Sequence, residues 1–297
     1  MNSKIKTGML LGVLFFATCA HAQETGTLKK IKESNLIVLG HRESSVPFSY
    51  YDDKQQVVGY SREFQMKVVD AVKKRLNMPN LQVRDIPVTS QNRIPLVQNG
   101  TVDIECGSTT NDLERQKQVA FTNTIFVIGT RLLTTKDSGV KDFSDLKGKT
   151  VVTTAGTTSE RLLRQMNNEK QLDITIISAK DHAESFQTLE TGRAAAYMND
   201  DAILSGARAR ARQPDNWVIV GTPRSQEAYG CMIRRDDPAF KKVADDAIAQ
   251  VEKSGEAAKV YAKWFEGPIP PKGLNLNFPM SEAVKNLYAN PNDKALQ

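Results

Sequence analysis

Between Cys106 and Arg115 the sequence reads CGSTTNDLER, and Ser108, Thr109, Thr110, Asn111 and Arg115 within it are all hydrogen-bond donors. Gathered at the end of a strand, such a set holds an anion: hydroxyls and free backbone N–H groups donate singly, and a guanidinium donates a planar pair to a carboxylate. The same residues have a structural use. Ser, Thr and Asn cap helices, Asn111 and Glu114 stand at capping-box spacing, and an arginine is often simply solvated. A second cluster, GTTSE, puts Thr157 and Thr158 at a predicted helix N-terminus, where unpaired N–H groups and the helix dipole favour negative charge. Asp200 follows the apolar run AAAYM and is suited to an ammonium. Cations at one end and an acid at the other describe a pocket for a zwitterion such as an amino acid.

Signs of catalysis are missing from the sequence. It contains no G-x-S-x-G, no G-x-x-x-x-G-K-[ST], no G-x-G-x-x-G and no H-E-x-x-H. A Ser or Cys nucleophile needs a base, and beyond His21 near the N-terminus the only histidines are His41 and His182, neither paired in sequence with a nucleophile. With those two histidines and no C-x-x-C, a zinc site is not expected, and neither a metal nor a cofactor is assigned.

The elements that must position these residues alternate. NLIVLG reads as a buried strand, GYSREFQMKVVDAVKKRL as a helix with Phe64, Val68, Val69, Val72 and Leu76 on one face, and LQVRDIPV as a strand. RIPLVQN follows as a helix stopped by Gly100, and TVDIE as a strand. A second set begins with the strand TVVTT and its helix GTTSERLLRQM, continues with the strand DITIIS and the helix DHAESFQTLETG, and ends with AAAYM and a helix through NDDAILSGARARA. In the fourth of these, Asp181 and Glu184 stand at capping-box spacing and Gly192 closes the helix. This β-α alternation indicates an α/β fold with parallel strands. PLVQNGTVDIECGSTT and TLETGRAAAYMNDD echo each other as helix, glycine stop, apolar strand and polar loop, which suggests two similar lobes. The polar clusters all fall at carboxyl ends of predicted strands, where open α/β sheets bind ligands.

Length and composition fit this plan. The chain has 297 residues, enough for two domains, with 40% hydrophobic and 25% charged residues as in soluble globular proteins. The N-terminus places Lys4 and Lys6 before an apolar stretch ending near Thr18, then Ala20-His21-Ala22, which is the pattern of a secretory signal cleaved after Ala22. The stretch is shorter than the ~20 residues a membrane span needs. Loss of two lysines and no acid lowers the formal charge from +6 to +4. Basic and acidic residues alternate without a basic block, so nucleic acid is not an expected partner. Export also removes Cys19, leaving Cys106 and Cys231 in an oxidising compartment, where a single disulfide is expected.

STTNDLERQKQVAFTNT resembles the signature of the family 3 solute-binding proteins of ABC amino-acid importers, in which a Thr-x-x-x-x-Arg element precedes a Val-x-Phe-[ST] run. GYSREFQMKVVDAV, IPLVQNGTVDIE, GKTVVTTAGTTSERLL and LETGRAAAYMNDDAIL resemble further blocks of the family in the same order, across essentially the whole mature chain. One departure is Ser61-Arg62, where the family usually has an acid and an apolar residue. The resemblance implies a type II clamshell of two α/β lobes with mixed, mainly parallel sheets. It places residues 23–130 and 226–297 in a discontinuous first lobe and 131–225 in the second, with residues 1–22 removed and hinge crossovers near 128–133 and 221–229.

By the same resemblance Arg115, Thr110 and Thr158 hold an α-carboxylate, and Asp200 and Ser108 hold the ammonium. Arg42, Ser90, Arg93 and His182 stand at loops facing the same cleft, and three of these four can be cationic. Solvation of the arginines and a first-turn role for His182 beside an Asp181 cap are the structural alternatives. Phe48 and Tyr50 either wall the pocket or belong to the core. Among family members the resemblance is greatest to those that bind L-glutamate and L-aspartate. It implies a monomeric periplasmic binder that closes on these acids and delivers them to an inner-membrane permease with its cytoplasmic ATPase. A periplasmic dehydratase of the same fold, acting on a cyclic amino or carboxylic acid, is the alternative.

Overall fold

The computed structural model describes residues 24–271 and 273–295. The expected signal segment 1–22, its cleavage after Ala22, and Cys19 lie outside the described residues. Among those described, no helix is long and apolar enough to cross a membrane.

The chain opens with α1 (Gly26–Ser34) and β1 (Leu36–His41), then β2 (Ser44–Ser45), β3 (Ser49–Tyr51) and β4 (Val57–Val58). Next come α2 (Tyr60–Leu76), β5 (Gln82–Pro87), α3 (Arg93–Gln98), β6 (Ile104–Glu105), α4 (Leu113–Gln116) and the long strand β7 (Ala120–Thr135). The second set is β8 (Thr150–Thr154), α5 (Thr158–Lys170), β9 (Thr175–Ala179), α6 (His182–Glu190), β10 (Ala196–Asp200), α7 (Asp201–Arg210) and β11 (Trp217–Val220). The chain returns through β12 (Gln226–Ile233), α8 (Pro238–Lys253) and α9 (Glu256–Tyr261), and ends with the pair β13 (Pro268–Ile269) and β14 (Leu274–Asn275) and with α10 (Glu282–Ala289).

Strand order is β5-β1-β6-β12-β7 and, continuing through the same long strand, β7-β10-β8-β9, with β11 also on β7. The β5-β1-β6 and β10-β8-β9 ladders are parallel, whereas β12 and β7 run against their neighbours. The sheet is therefore mixed. Strand β7 changes partners midway: Gly129 pairs with Gln226 of β12, and the next residue, Thr130, pairs with Asp200 of β10.

Apolar burial divides in the same way. The largest cluster gathers α1, α2, α8, α9 and α10 around β1, β6, β12 and the first half of β7 and takes in Ala202 and Ile203 of α7; two more gather on β8, β10 and the second half of β7, one with α5 and one with α6 and β11; a small fourth holds Val97 of α3 with Val102, Phe121 and Met232. Phe48 lies at the centre of the first, edge-on to Tyr60, Phe126, Tyr229 and Phe265, and each such ring contributes about 1.5–3 kcal/mol by leaving water. Tyr50 is likewise buried, its hydroxyl donating to Pro270 O at 2.6 Å. Both aromatics belong to the core and not to a pocket wall. Cys106 and Cys231 are joined by a disulfide that ties the returning strand β12 to the loop after β6.

Three local expectations differ from the fold. TVDIE forms a strand only at Ile104–Glu105, because Asp103 turns its carboxylate onto the Val38 N–H (3.0 Å) and Lys30 (2.8 Å). The cap of α4 is Asp112, which accepts from the Arg115 N–H at 2.8 Å, while Asn111 donates to Asp293 O. The polar cluster HRESS after the first strand, a loop by its sequence, contributes Ser44–Ser45 as β2 to a small three-stranded sheet with β3 and β4.

Candidate functional site

Each strand-to-helix loop delivers one or two of the expected residues to a common interior. Arg42 follows β1, Ser90 and Arg93 follow β5, Ser108 and Thr110 follow β6, and Arg115 stands on α4. From the other set, Thr158 opens α5, His182 opens α6 and Asp200 ends β10. All are buried; the most exposed, Ser108, retains 8% of its surface. Parallel strands explain the convergence, since their carboxyl ends lie on one edge and the loops leaving that edge face the same space.

Acceptors hold Arg93 and Arg115 and leave part of each guanidinium free. Arg93 Nη1 donates to Ser108 O at 3.1 Å and to Thr109 Oγ1, and Thr109 passes its own proton to Glu105 Oε2 at 2.8 Å. Arg115 donates to Thr110 O at 2.9 Å and across to Gly156 O at 3.2 Å. Burial lowers all three arginines, Arg93 and Arg115 to about 10, with Glu105 opposing the fall for Arg42 and Arg93. At neutral pH they remain charged. Yet Arg42 Nη1 and Arg93 Nε are buried without a hydrogen-bond partner, as is Ser90 Oγ. A buried donor left unmatched costs about 1–3 kcal/mol, more if charged, so this arrangement calls for an anionic acceptor.

Two glycines permit the close approaches. A Cβ on Gly107 would lie 2.7 Å from Glu105 Oε1 and 2.8 Å from Arg42 Cγ, so only glycine lets the buried acid and cation share that loop. Gly156 has φ +78° and brings its backbone against Gln91 of the facing loop.

His182 departs from the expected cation. Burial, then the charges of Arg42 and Arg93, push its pKa well below the ordinary value, so the ring is neutral. His182 Nδ1 lies 2.8 Å from Thr154 Oγ1 and 3.2 Å from both Tyr197 OH and Asn199 Nδ2, whose amide oxygen accepts from the Asp200 N–H at 2.8 Å. Nε2 faces Ser108 Oγ at 3.4 Å. At the α6 terminus, Asp181 caps the Glu184 N–H, but Glu184 returns its own bond to Lys180 N, one residue before the cap.

Asp200 sits among hydroxyls: Thr130 Oγ1 at 2.8 Å, Ser159 Oγ at 3.4 Å, and Tyr229, which donates to Oδ2. Burial first and the Glu227 carboxylate second push its pKa up to about 7, against the pull of Tyr229 and Thr130.

The two groups of loops touch. Thr110 and Thr158 hydroxyls are 3.5 Å apart, Ser108 meets His182, Arg115 meets Gly156, and Arg161 Nη2 donates to Asp112 Oδ2 at 2.8 Å. Sequence reasoning missed Glu105, Tyr229 and Glu227. An acid ending an apolar run, as Glu105 does, was a usable signal. Tyr229 and Glu227 gave none, because they reach the site from a strand that returns after the second set of elements is complete.

A model of the bacterial extracellular solute-binding proteins, family 3, matches residues 37–267. The glutamate/aspartate import solute-binding protein of Salmonella typhimurium is 62% identical over 99% of this chain and 98% of its own. Its Escherichia coli namesake is 64% identical over 91% of this chain and 89% of its own. Among solved structures, an ancestral arginine-binding protein bound to arginine superposes with a TM-score of 0.69 at 27% identity, covering 78% of this chain and 98% of that one.

Proposed function

The chain belongs to the bacterial extracellular solute-binding proteins, family 3, and on that premise we propose that it captures L-glutamate and L-aspartate by lobe closure and delivers them to an ABC importer. It is a binding protein and not an enzyme, as its import relatives are. The observation that carries the reading is the trio of buried guanidiniums, Arg42, Arg93 and Arg115, two of them with unmatched N–H groups, together with the buried Asp200, which lies in electrostatic reach of Arg93.

In this reading Arg115, with Thr110 and Thr158, takes the α-carboxylate, and Asp200 with Ser108 takes the ammonium. Arg42, Ser90, Arg93 and His182 take the side-chain carboxylate. Micromolar binding is about −8 kcal/mol and has to survive stripping water from three charged groups, so nearly every one needs a partner. One lobe comprises 23–130 and 226–297 and the other 131–225. The change of partner along β7 at Gly129–Thr130 and the start of β12 at Gln226 support hinges near 128–133 and 221–229. Export with cleavage after Ala22 places a monomer in the periplasm, where an inner-membrane permease with a cytoplasmic ATPase receives the cargo.

Calorimetric titration of ligand-stripped protein with L-glutamate, L-aspartate, L-glutamine and L-arginine tests the assignment. Tight binding of the two acids alone is expected. Comparable binding of glutamine or arginine would remove Arg42, Arg93 and His182 from side-chain recognition.

A further inference from the structure

Glu227, the second residue of β12, is a buried carboxylate with 5% of its surface exposed and no part in the ligand contacts proposed above. Its Oε1 lies 2.5 Å from Ser225 Oγ, and its Oε2 has no partner among the described residues. Ser225 Oγ lies 2.9 Å from Thr130 Oγ1, which lies 2.8 Å from Asp200 Oδ1. Carboxylate, hydroxyl, hydroxyl and carboxylate thus form a chain of three short oxygen–oxygen contacts where β7 changes partners.

Counting protons along this chain is decisive. Two hydroxyls supply two protons for three contacts, so with both acids ionised one contact is oxygen against oxygen with nothing between. One further proton, on either acid, completes the chain: each group then donates to the next in a single direction. Glu227 also faces the amino-acid end of the site, lining with Thr110, Thr158 and Ser225 a cleft of about 140 Å³ that Asp112 and Arg161 border.

We propose that Asp200 and Glu227 hold one proton between them through Thr130 and Ser225, and that the ligand's α-ammonium replaces it, making Glu227 a second reader of the amino group. The inference rests on the amino-acid reading above. The exchange balances: a charged ammonium enters, and one proton leaves the pair for solvent. Other charged and titratable groups facing the pair are Asp201 from α7, Tyr197 from β10, Tyr229 from β12, Arg93 from α3 and Arg115 from α4; Arg131 of β7 faces Asp201. The arginines and tyrosines keep their charge states between pH 5.5 and 7. Asp201, which burial pushes up to about 6, and His182 are common to the wild type and a Glu227 variant, so a difference between the two proteins counts the pair alone.

The test is calorimetric titration with L-glutamate in buffers of different ionisation enthalpy, comparing wild type with Glu227→Gln at pH 6. The wild type is expected to release close to one proton more per ligand bound, and its affinity to rise up to about tenfold more per pH unit toward pH 7. Equal proton counts overturn the inference while leaving glutamate binding intact, whereas a wild type that ignores glutamate overturns the functional reading itself. Should the variant fail to fold or bind, carboxyl ¹³C NMR of the wild type decides. A near-neutral Asp200 titration that disappears on adding glutamate supports the exchange, and one that persists refutes it.

Discussion

Charge at the level of single residues is set here by burial more than by residue type. Arg115 keeps its proton in the interior, so deleting it strands a ligand carboxylate. Arg115→Ala is expected to cost about 3–5 kcal/mol of glutamate affinity, and a loss below tenfold by titration would take Arg115 out of that role. His182 behaves differently, since burial and two neighbouring guanidiniums keep it neutral and its Nε2 faces Ser108. A neutral amide, which offers both a donor and an acceptor, should therefore serve nearly as well. His182→Gln is expected to cost less than about 1 kcal/mol and His182→Ala about 1–3 kcal/mol, measured side by side at pH 7. A loss in the Gln variant as large as that in the Ala variant would mean that the imidazole acts as a cation.

Helices and strands were legible in the sequence where period and caps agreed, and the misses have local causes. α2 and α5 run as their apolar spacing and end residues indicated, and Thr157 caps α5 by accepting from the Glu160 N–H. The site loops were legible for the same reason, since each follows a recognisable strand. What stayed hidden depends on distant chain: Asp103 shortening β6 by binding Val38, Ser225 and Glu227 arriving on β12, and Glu252 deep in α8. Glu252 looks like a surface acid in an amphipathic helix, yet it is buried with neither oxygen partnered, and burial pushes its pKa up to about 9. A folded value above the unfolded one means that ionisation opposes folding above about pH 4.5, increasingly up to about pH 9, and not below that window. Glu252→Gln, a neutral isostere, is expected to gain roughly 3 kcal/mol at pH 7.5, raising Tm by about 5–10 °C, with no gain at pH 4. Equal shifts at both pH values in thermal melts would show that the charge is not the cause.

At the scale of the whole molecule, β7 runs through all four apolar clusters of the described residues, and the returning β12 is fastened to the largest by the disulfide as well as by its ladder. A cross-link spanning 125 residues removes up to about 5 kcal/mol of unfolded-chain entropy, so the returning segment is held close to Gly129–Thr130, where β7 changes partners and the hinge is proposed. Closure then depends on contacts between facing loops. Most of these use residues proposed to touch the ligand, and Arg161 to Asp112 is the exception. Asp112 is fixed as the α4 cap, whereas the Arg161 side chain is 57% exposed, so their bond is worth about 0.2–1 kcal/mol and is screened by salt. Because it forms only after the loops meet, its loss should act on opening. Arg161→Ala is expected to speed glutamate dissociation by no more than about fivefold, leave association nearly unchanged, and show a smaller effect as salt is raised. Stopped-flow kinetics at two ionic strengths read both rates. A slowed association with unchanged dissociation would make Arg161 a steering charge at the cleft mouth instead of a contact that holds the lobes shut.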